Sequence, residues 1–261
     1  MADSPLPQNT TTRDRGLYPT GKGSIRHQRM HGLSKQRQTR PSDLLDIAFW
    51  DKMPNARQIG KRLPASGGRD FLIHGFDEFS CKATVEEYAI RARFTQDFSF
   101  AIPCKEAIEA IKTQSRRLVE IGAGSGLWSR LMTRAGLDVV ATDLRSSKRR
   151  PPHFGMNGYG QTIGKHHPVS FAGAAQAVRV HPDRDVFCCW PSYDGRWAFD
   201  ATSAMAVGRL LLYVGEVGGG CTGDKRFHAY LDSHFEQISC SAIPVFYGLH
   251  DRLFVYRKIA P

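Results

Sequence analysis

The sequence predicts an α/β fold whose core is a doubly wound sheet of about seven strands, mostly parallel, with an antiparallel hairpin at the C-terminal end. Three observations predict it. From residue 117 onward, short apolar runs alternate with segments of helical period, and a glycine-rich turn follows the first run. The last two apolar runs are separated by a short turn. Strands that alternate with helices form a parallel sheet with helices on both faces.

The apolar runs predict the strands in chain order, and they lie at 118–121, 137–142, 185–189, 210–214, 237–244 and 253–257. A helix over 127–135 is closed by Gly136, a residue that favours helix C-termini. The turn at 248–251 joins the last two strands. Residues 144–168 are polar, basic and glycine-rich and show no helix, although a doubly wound fold would normally place one there.

The chain divides near residue 41. Residues 1–41 lack any hydrophobic period, which predicts a disordered tail, and their eight Lys and Arg against two Asp supply +6 of the net charge of +11. A basic tail attracts polyanions without specificity, or it is simply solvated. Residues 42–261 are predicted to form one domain, whose first part, 42–97, is a helical extension.

Composition excludes several classes of protein. A hydrophobic share of 41% over 261 residues suffices for one sizeable core. No apolar run is long enough to span a membrane, and no secretion signal follows the first methionine. The six cysteines form no C-x-x-C pair, so we expect reduced thiols and a cytoplasmic location. Neither cysteines nor histidines have the spacing of metal ligands, so no metal is expected.

The most informative segment is the glycine-rich turn. The first strand carries Glu120 and runs into Gly122, Gly124 and Gly126, after which a helix begins. Glycines allow a sharp turn and a close ligand, and the helix N-terminus offers free N–H donors. Asp143 closes the next strand, 17 residues after Gly126, where a carboxylate can accept hydrogen bonds from a ribose. The pattern predicts a cofactor that contains adenosine.

The identity of that cofactor depends on two positions. Dinucleotide sites favour G-x-G-x-x-G, but Leu127 stands where the last glycine would be. A carboxylate at Glu120 would repel a pyrophosphate, whereas it would attract the ammonium of a methionine. The pattern therefore favours S-adenosylmethionine and disfavours an NAD-dependent oxidoreductase.

On these residues, the sequence resembles the class I S-adenosylmethionine-dependent methyltransferases, which have a Rossmann-like fold, over roughly residues 98–258. The resemblance implies that Glu120 and the three glycines face the methionine part and that Asp143 faces the ribose, and Ala123 is assigned with them as a cofactor-binding residue. Phe98–Pro103 is similar to an element that covers the methionine end, which makes Phe100 and Pro103 cofactor contacts, and Cys189 is assigned with them. The family's acidic residue near the adenine has no counterpart in 171–175.

A candidate acceptor site follows the 185–189 strand. Residues Trp190, Pro191, Ser192 and Tyr193 resemble the Asn/Asp/Ser-Pro-Pro-Tyr/Phe/Trp motif of methyltransferases that act on amines. Trp190 replaces the polar residue, and an indole cannot accept a hydrogen bond from an amine. Trp190 and Tyr193 are predicted either to form a stacking pocket or to pack in the core.

Acid–base candidates come from two further turns. Glu216 follows the strand predicted at 210–214. It is expected either to orient an acceptor or accept a proton, or to be a surface carboxylate. His250 and Asp251 would form a proton acceptor, or serve only the backbone of a turn. Asp224 is expected to cap the helix that follows it rather than to act in catalysis.

The predicted function is S-adenosylmethionine-dependent methyl transfer to an acceptor that the sequence does not identify. Transfer from a sulfonium needs alignment and the exclusion of water more than it needs a base. Trp190, Pro191, Tyr193 and Glu216 are the candidate catalytic residues, and their composition favours a planar or aromatic, amine-bearing acceptor. The alternative is a nucleic-acid-binding protein with a methyltransferase-like domain, which includes an RNA or DNA methyltransferase.

Overall fold

The computed structural model describes residues 41–63, 85–144 and 156–261. The predicted tail, apart from Pro41, and part of the 144–168 stretch lie outside these ranges, so polyanion binding through residues 1–41 stays a prediction. Within the same ranges, no helix has the length and apolar character needed to cross a membrane.

A seven-stranded sheet forms the centre of the described chain, in the order β3-β2-β1-β4-β5-β7-β6. Its first five strands are parallel, and β7 runs antiparallel between β5 and β6. The strands are β1 (Arg117–Ile121), β2 (Asp138–Asp143), β3 (Ser170–Phe171), β4 (Asp185–Cys189), β5 (Leu210–Gly215), β6 (Phe235–Ala242) and β7 (Arg252–Lys258). The predicted fold class is confirmed.

Helices cover both faces of the sheet. A 3-10 turn at Pro41–Leu45 precedes α1 (Ile47–Trp50), α2 (Ala56–Gly60), α3 (Val85–Asp97), α4 (Lys105–Gln114), α5 (Leu127–Arg134), α6 (Ala174–Val180), α7 (Trp197–Ser203) and α8 (Lys225–His234). Buried residues of α1 to α5 share one apolar core with one face of the sheet. Those of α6, α7 and α8 share the core on the other face.

Several elements differ from the sequence prediction. The strand β3 and the helices α6 and α7 were not predicted, since they span only two, seven and seven residues and no side chain caps either helix. β6 begins at Phe235, directly after α8, and the connection to β7 spans 243–251, which is longer than the predicted turn. The described residues 156–169 contain neither helix nor strand.

The N-terminal helices pack on one another through aromatic rings, and Asp51 pairs with Arg130 and Arg134 of α5. Trp50 packs on Phe94, with ring centroids 5.5 Å apart, and Phe94 stacks on Phe98 at the same distance. Asp51 accepts two hydrogen bonds from the guanidinium of Arg130 on α5, at 2.7 and 2.9 Å. These contacts hold the segment after α3, which contains Phe98 and Phe100, over the carboxyl end of β1.

Candidate functional site

A cavity of about 370 Å³ opens at the carboxyl ends of the parallel strands. It lies where β1 and β4 are neighbours and the chain order reverses, the place where open α/β sheets bind ligands. We call it the chamber. It is lined by Phe100, Gly122, Asp143, Leu144, Asn157, Gly158, Tyr159, Gln161, Ala172, Ala174, Cys189, Trp190 and Trp197.

The glycine turn forms between β1 and α5. Gly122, Gly124 and Gly126 have φ angles of +68°, +52° and +80°, a region that glycine occupies without strain. Ala123 donates its N–H to the carbonyl of Thr142 at 2.9 Å, which ties the turn to β2. The turn is therefore held against the end of the strand that carries Asp143.

Parts of this chain occupy the space that the three glycines leave open. A Cβ added at Gly122 would lie 3.0 Å from the ring of Trp197, and one at Gly126 would lie 3.0 Å from the carbonyl oxygen of His167. One added at Gly124 would collide with the side-chain oxygen of Gln161. Of the three glycines, Gly122 lines the chamber.

Asp143 ends β2 in the chamber wall. Its two carboxylate oxygens accept the backbone N–H groups of Gly124 at 2.7 Å and Leu144 at 2.6 Å. Burial raises the pKa of Asp143, while these two hydrogen bonds and one from Asn157 oppose the rise. Each carboxylate oxygen can accept more than one hydrogen bond, so Asp143 keeps the capacity to bind a pair of hydroxyls.

Glu120 lies deeper, at the edge of a second cavity of about 20 Å³ that we call the tail cavity. The side chain is 1% exposed and accepts a hydrogen bond from the hydroxyl of Ser129. Burial raises the pKa of Glu120 to about 8, against the effect of Ser129 and with a contribution from Asp143. At neutral pH the carboxyl is therefore mostly protonated, and the charge used above to favour S-adenosylmethionine appears only beside a cation, which lowers such a pKa.

Gln161 lines both cavities, which also share Phe100, Gly122 and Cys189 as lining residues. Its side-chain nitrogen donates to the carbonyl of Thr95 at 2.6 Å, and its side-chain oxygen accepts from Asn157 at 3.1 Å. No local pattern in the sequence distinguishes this glutamine.

Residues 156–167, which we call the strap, run across the glycine turn. Gly164 donates its N–H to the carbonyl of Gly124 at 3.0 Å, and His166 donates to that of Ser125 at 2.8 Å. The ring of His166 also stacks on Phe98 with centroids 4.9 Å apart. The stretch in which the sequence shows no helix thus builds one wall of the chamber.

Aromatic rings form another wall. Phe100 stacks on Trp190 with centroids 5.3 Å apart and an interplanar angle of 17°, and Tyr159 meets Phe100 edge-on at 6.0 Å. Tyr193 is 67% exposed and does not line the chamber. The ring beside Trp190 in the chamber wall is therefore that of Phe100, and Tyr193 lies outside the chamber.

Three other candidates are buried away from the chamber. The carbonyl of Pro191 accepts the N–H of Gly223 at 2.8 Å, and Pro103 lies just before α4. Glu216 is buried rather than at the surface. It accepts the N–H groups of Cys221 at 2.5 Å and His250 at 2.7 Å, which join the loops after β5 and before β7.

The remaining predicted residues lie in the cavity walls or at a helix end. Cys189 is half-buried and lines both cavities, and burial, with the charges of Glu120 and Asp251, raises its pKa far above the ordinary value, so it is a thiol. Ala123 lines the tail cavity. Asp224 caps α8 by accepting the N–H of Phe227 at 2.9 Å, as predicted. Within the described ranges, no cluster of three His, Cys, Asp or Glu side chains is arranged to hold a metal ion.

The direction of one strand is the feature of the sheet that identifies the fold. Of the seven strands only β7 runs against the others, and it lies between β5 and β6. This is the seven-stranded, Rossmann-like sheet that the resemblance to class I methyltransferases implies. No protein-family model and no curated protein matches it.

Solved structures of methyltransferases are distantly similar. Magnesium protoporphyrin IX methyltransferase from Synechocystis, with bound S-adenosylmethionine, is 12% identical, with a TM-score of 0.38, over 70% of this chain and 88% of that one. An S-adenosylmethionine-dependent methyltransferase from Anabaena variabilis is 8% identical, at 0.36, over 54% and 76%. TrmN from Thermus thermophilus is 15% identical, at 0.40, and the match spans 59% of this chain and 48% of TrmN. Similarity this distant does not distinguish activities.

Proposed function

We propose that this chain is an S-adenosylmethionine-dependent methyltransferase that acts on an acceptor with a planar or aromatic portion. The observation that carries the proposal is the Asp143 carboxylate in the wall of a 370 Å³ chamber beside Gly122, at the strand crossing of a methyltransferase fold. A cavity of this size, mostly apolar with a few convergent polar groups, is typical of a small-molecule site.

The residues present fit the parts of that cofactor. Asp143 has acceptor capacity for the ribose hydroxyls, and Leu144, Ala172 and Ala174 provide apolar faces for a flat base. The tail cavity holds about one water molecule, so it would receive the amino-acid end once the side chain of Gln161 moves aside, and the ammonium would then ionise the carboxyl of Glu120. When bound, the cofactor supplies a methyl group that is already activated for displacement.

The acceptor end is inferred from the aromatic wall. Phe100 and Trp190 would hold a flat group by stacking, orient it, and keep water away from the reacting atoms. Among the described residues that line the chamber there is no Lys, Arg or His, so its wall offers no cation for an anionic group. A planar acceptor that is neutral, or an amine, suits this wall better than a phosphate.

Calorimetry with S-adenosylhomocysteine, the demethylated product, tests the proposal. We expect binding at micromolar concentrations with one site per chain, and no binding of NAD under the same conditions. An absence of heat with S-adenosylhomocysteine at high micromolar concentration, or saturable binding of NAD, would contradict the proposal.

Removing the Gln161 side chain is expected to strengthen the binding of ligands that carry the amino-acid tail. The side chain lines both cavities and lies against Gly124 of the glycine turn, so we expect a tail that enters the tail cavity to displace it and to break its hydrogen bonds to Thr95 and Asn157. Two hydrogen bonds of about 1 kcal/mol each correspond to about 30-fold in affinity. We expect Gln161→Ala to bind S-adenosylhomocysteine about 30-fold more tightly by calorimetry.

Adenosine is the matched control ligand because it lacks the tail, and its affinity should be unchanged in Gln161→Ala. If S-adenosylhomocysteine instead binds more weakly to the variant while adenosine does not, Gln161 is a ligand of the tail and the expectation is wrong.

A further inference from the structure

Trp190 is held in an unusual backbone conformation. Within the described ranges, the non-glycine residues with positive φ are Met53 at +51° and Trp190 at +56°. A side chain in this left-handed region costs about 1–2 kcal/mol, so its surroundings must compensate for it. Trp190 directly follows β4, at the strand crossing where the chamber lies.

Three contacts hold this residue. Its backbone N–H donates to the carbonyl of Val214 on β5 at 2.8 Å, and its ring stacks on Phe100. Its indole Nε1–H donates to Oδ1 of Asp251 at 2.7 Å. The backbone bond leaves the side-chain torsions open, whereas a bond to the far edge of the indole determines where the ring lies.

Asp251 contacts the indole of Trp190 and does not itself line the chamber. It is 3% exposed, precedes β7 directly, and lines neither the chamber nor the tail cavity. A carboxylate is costly to bury, and the neighbouring Glu216 adds to that cost, while Arg91 offsets it in part. The indole N–H of Trp190 is the polar group that its Oδ1 contacts.

We propose that Asp251 is a positioning residue, which holds the indole of Trp190 parallel to Phe100 and thereby shapes the acceptor end of the chamber. The statement that this end of the chamber holds the acceptor rests on the proposed function. The hydrogen bond between Asp251 and Trp190 can be tested independently of that function. The positioning role differs from a role as a base, since the carboxylate faces the indole. The neighbouring His250 instead lies beside Glu216, with Nδ1 and Oε1 3.5 Å apart.

The titration of this carboxyl offers a signature. Burial raises the pKa of Asp251 to about 7, with Glu216 adding to the rise and Trp190 and Arg91 opposing it. The charges of Glu216 and Arg91 change the pKa of Asp251. The charge of Asp251 in turn raises the pKa values of Cys189, Cys221 and Tyr213. An ionised carboxylate accepts a stronger hydrogen bond than a neutral carboxyl. The indole proton of Trp190 should therefore report the ionisation of Asp251.

Proton–nitrogen NMR of the indole groups tests the proposal on the full chain. The protein has four tryptophans, and Trp190→Phe assigns the signal of interest. We expect this signal to shift with pH around 7 in the unmodified protein. In Asp251→Asn, which keeps an acceptor oxygen but does not ionise, it should be insensitive to pH. In Asp251→Leu it should move to the position of an indole without a hydrogen bond.

Glu216→Gln is the matched control. It alters a carboxylate that is as deeply buried but that bonds backbone N–H groups rather than the indole, so the Trp190 signal should still shift with pH. The midpoint of that shift should move to lower pH, because the charge of Glu216 raises the pKa of Asp251. If Asp251→Leu fails to fold, the pH series in the unmodified protein and in Asp251→Asn still decides the matter. A Trp190 signal that ignores both pH and Asp251→Asn would overturn the proposal.

Binding of S-adenosylhomocysteine distinguishes a failure of the positioning role of Asp251 from a failure of the proposed function. We expect it to perturb the Trp190 signal in the unmodified protein and in Asp251→Asn. In Asp251→Leu, this perturbation should be lost while the affinity stays within about threefold, since Asp143 is intact. Unchanged perturbation in Asp251→Leu would overturn the positioning role. Failure of every variant to bind would contradict the proposed function and leave the indole result to stand alone.

Discussion

Asp143→Ala is expected to weaken the binding of S-adenosylhomocysteine by about 100-fold or more. The buried carboxylate of Asp143 lines the chamber and keeps free acceptor positions after bonding Gly124 and Leu144. Hydrogen bonds to a charged group contribute about 1.5–3 kcal/mol each, so the loss of two corresponds to at least two orders of magnitude in the dissociation constant. Calorimetric titration of both proteins measures the difference.

Asp138→Ala is the matched control, because Asp138 begins the same strand at its opposite end. There the carboxylate is half exposed and pairs with Arg117 and Arg184, so its loss should leave ligand affinity within about threefold. Circular dichroism of each variant establishes that the strand is still formed. An Asp143→Ala variant that folds and binds S-adenosylhomocysteine as the unmodified protein does would remove the support that the chamber gives to the proposed function.

Glu120→Gln is expected to make the free energy of unfolding less dependent on pH. Burial raises the pKa of Glu120 in the folded chain to about 8, whereas an unfolded glutamate titrates near pH 4.3. Between these values, the folded state holds a proton that the unfolded state has released. Raising the pH therefore favours unfolding, by about 1.4 kcal/mol for each unit between roughly pH 5 and pH 8.

Glutamine keeps the shape and the hydrogen bond from Ser129 but does not ionise. Urea denaturation at several pH values measures the free energy of unfolding. The difference between the variant and the unmodified protein should rise in favour of the variant by about 4 kcal/mol from pH 5 to pH 8. Asp143 and Asp251 are present in both proteins, so the comparison isolates the titration of Glu120 together with its coupling to Asp143. Glu236→Gln, a change at an exposed position on the edge strand β6, should give a curve parallel to that of the unmodified protein. Parallel curves for Glu120→Gln would show that Glu120 is ionised in the folded chain.

The glycine turn and the sheet were accessible from the sequence because both are encoded locally. The left-handed φ angles at Gly122, Gly124 and Gly126 need glycine, and their spacing after an apolar strand is visible in nine consecutive residues. The cap at Asp224 is local as well, since donor and acceptor are three residues apart. The helix α7 was missed because its seven residues carry no cap that would mark its start.

The role of Glu120 shows where a local pattern misleads. Its position before the glycine turn is evident in the sequence, but its ionisation depends on burial, on Ser129 and on Asp143. The same is true of Glu216, which a pattern of strand ends places near a ligand. The structure instead uses it to join two loops, through the N–H groups of Cys221 and His250.

The sequence by itself determined six of the seven strands, the glycine turn with the helix after it, and the carboxylate at the end of β2, because hydrophobic period and turn chemistry act between near neighbours. Only the tertiary structure decided which side chains meet in the chamber. Asp251 reaches Trp190 across 61 residues, and Gln161 reaches Thr95 across 66. Such contacts arise when distant segments pack at one edge of the sheet, and no periodicity within either segment records its partner.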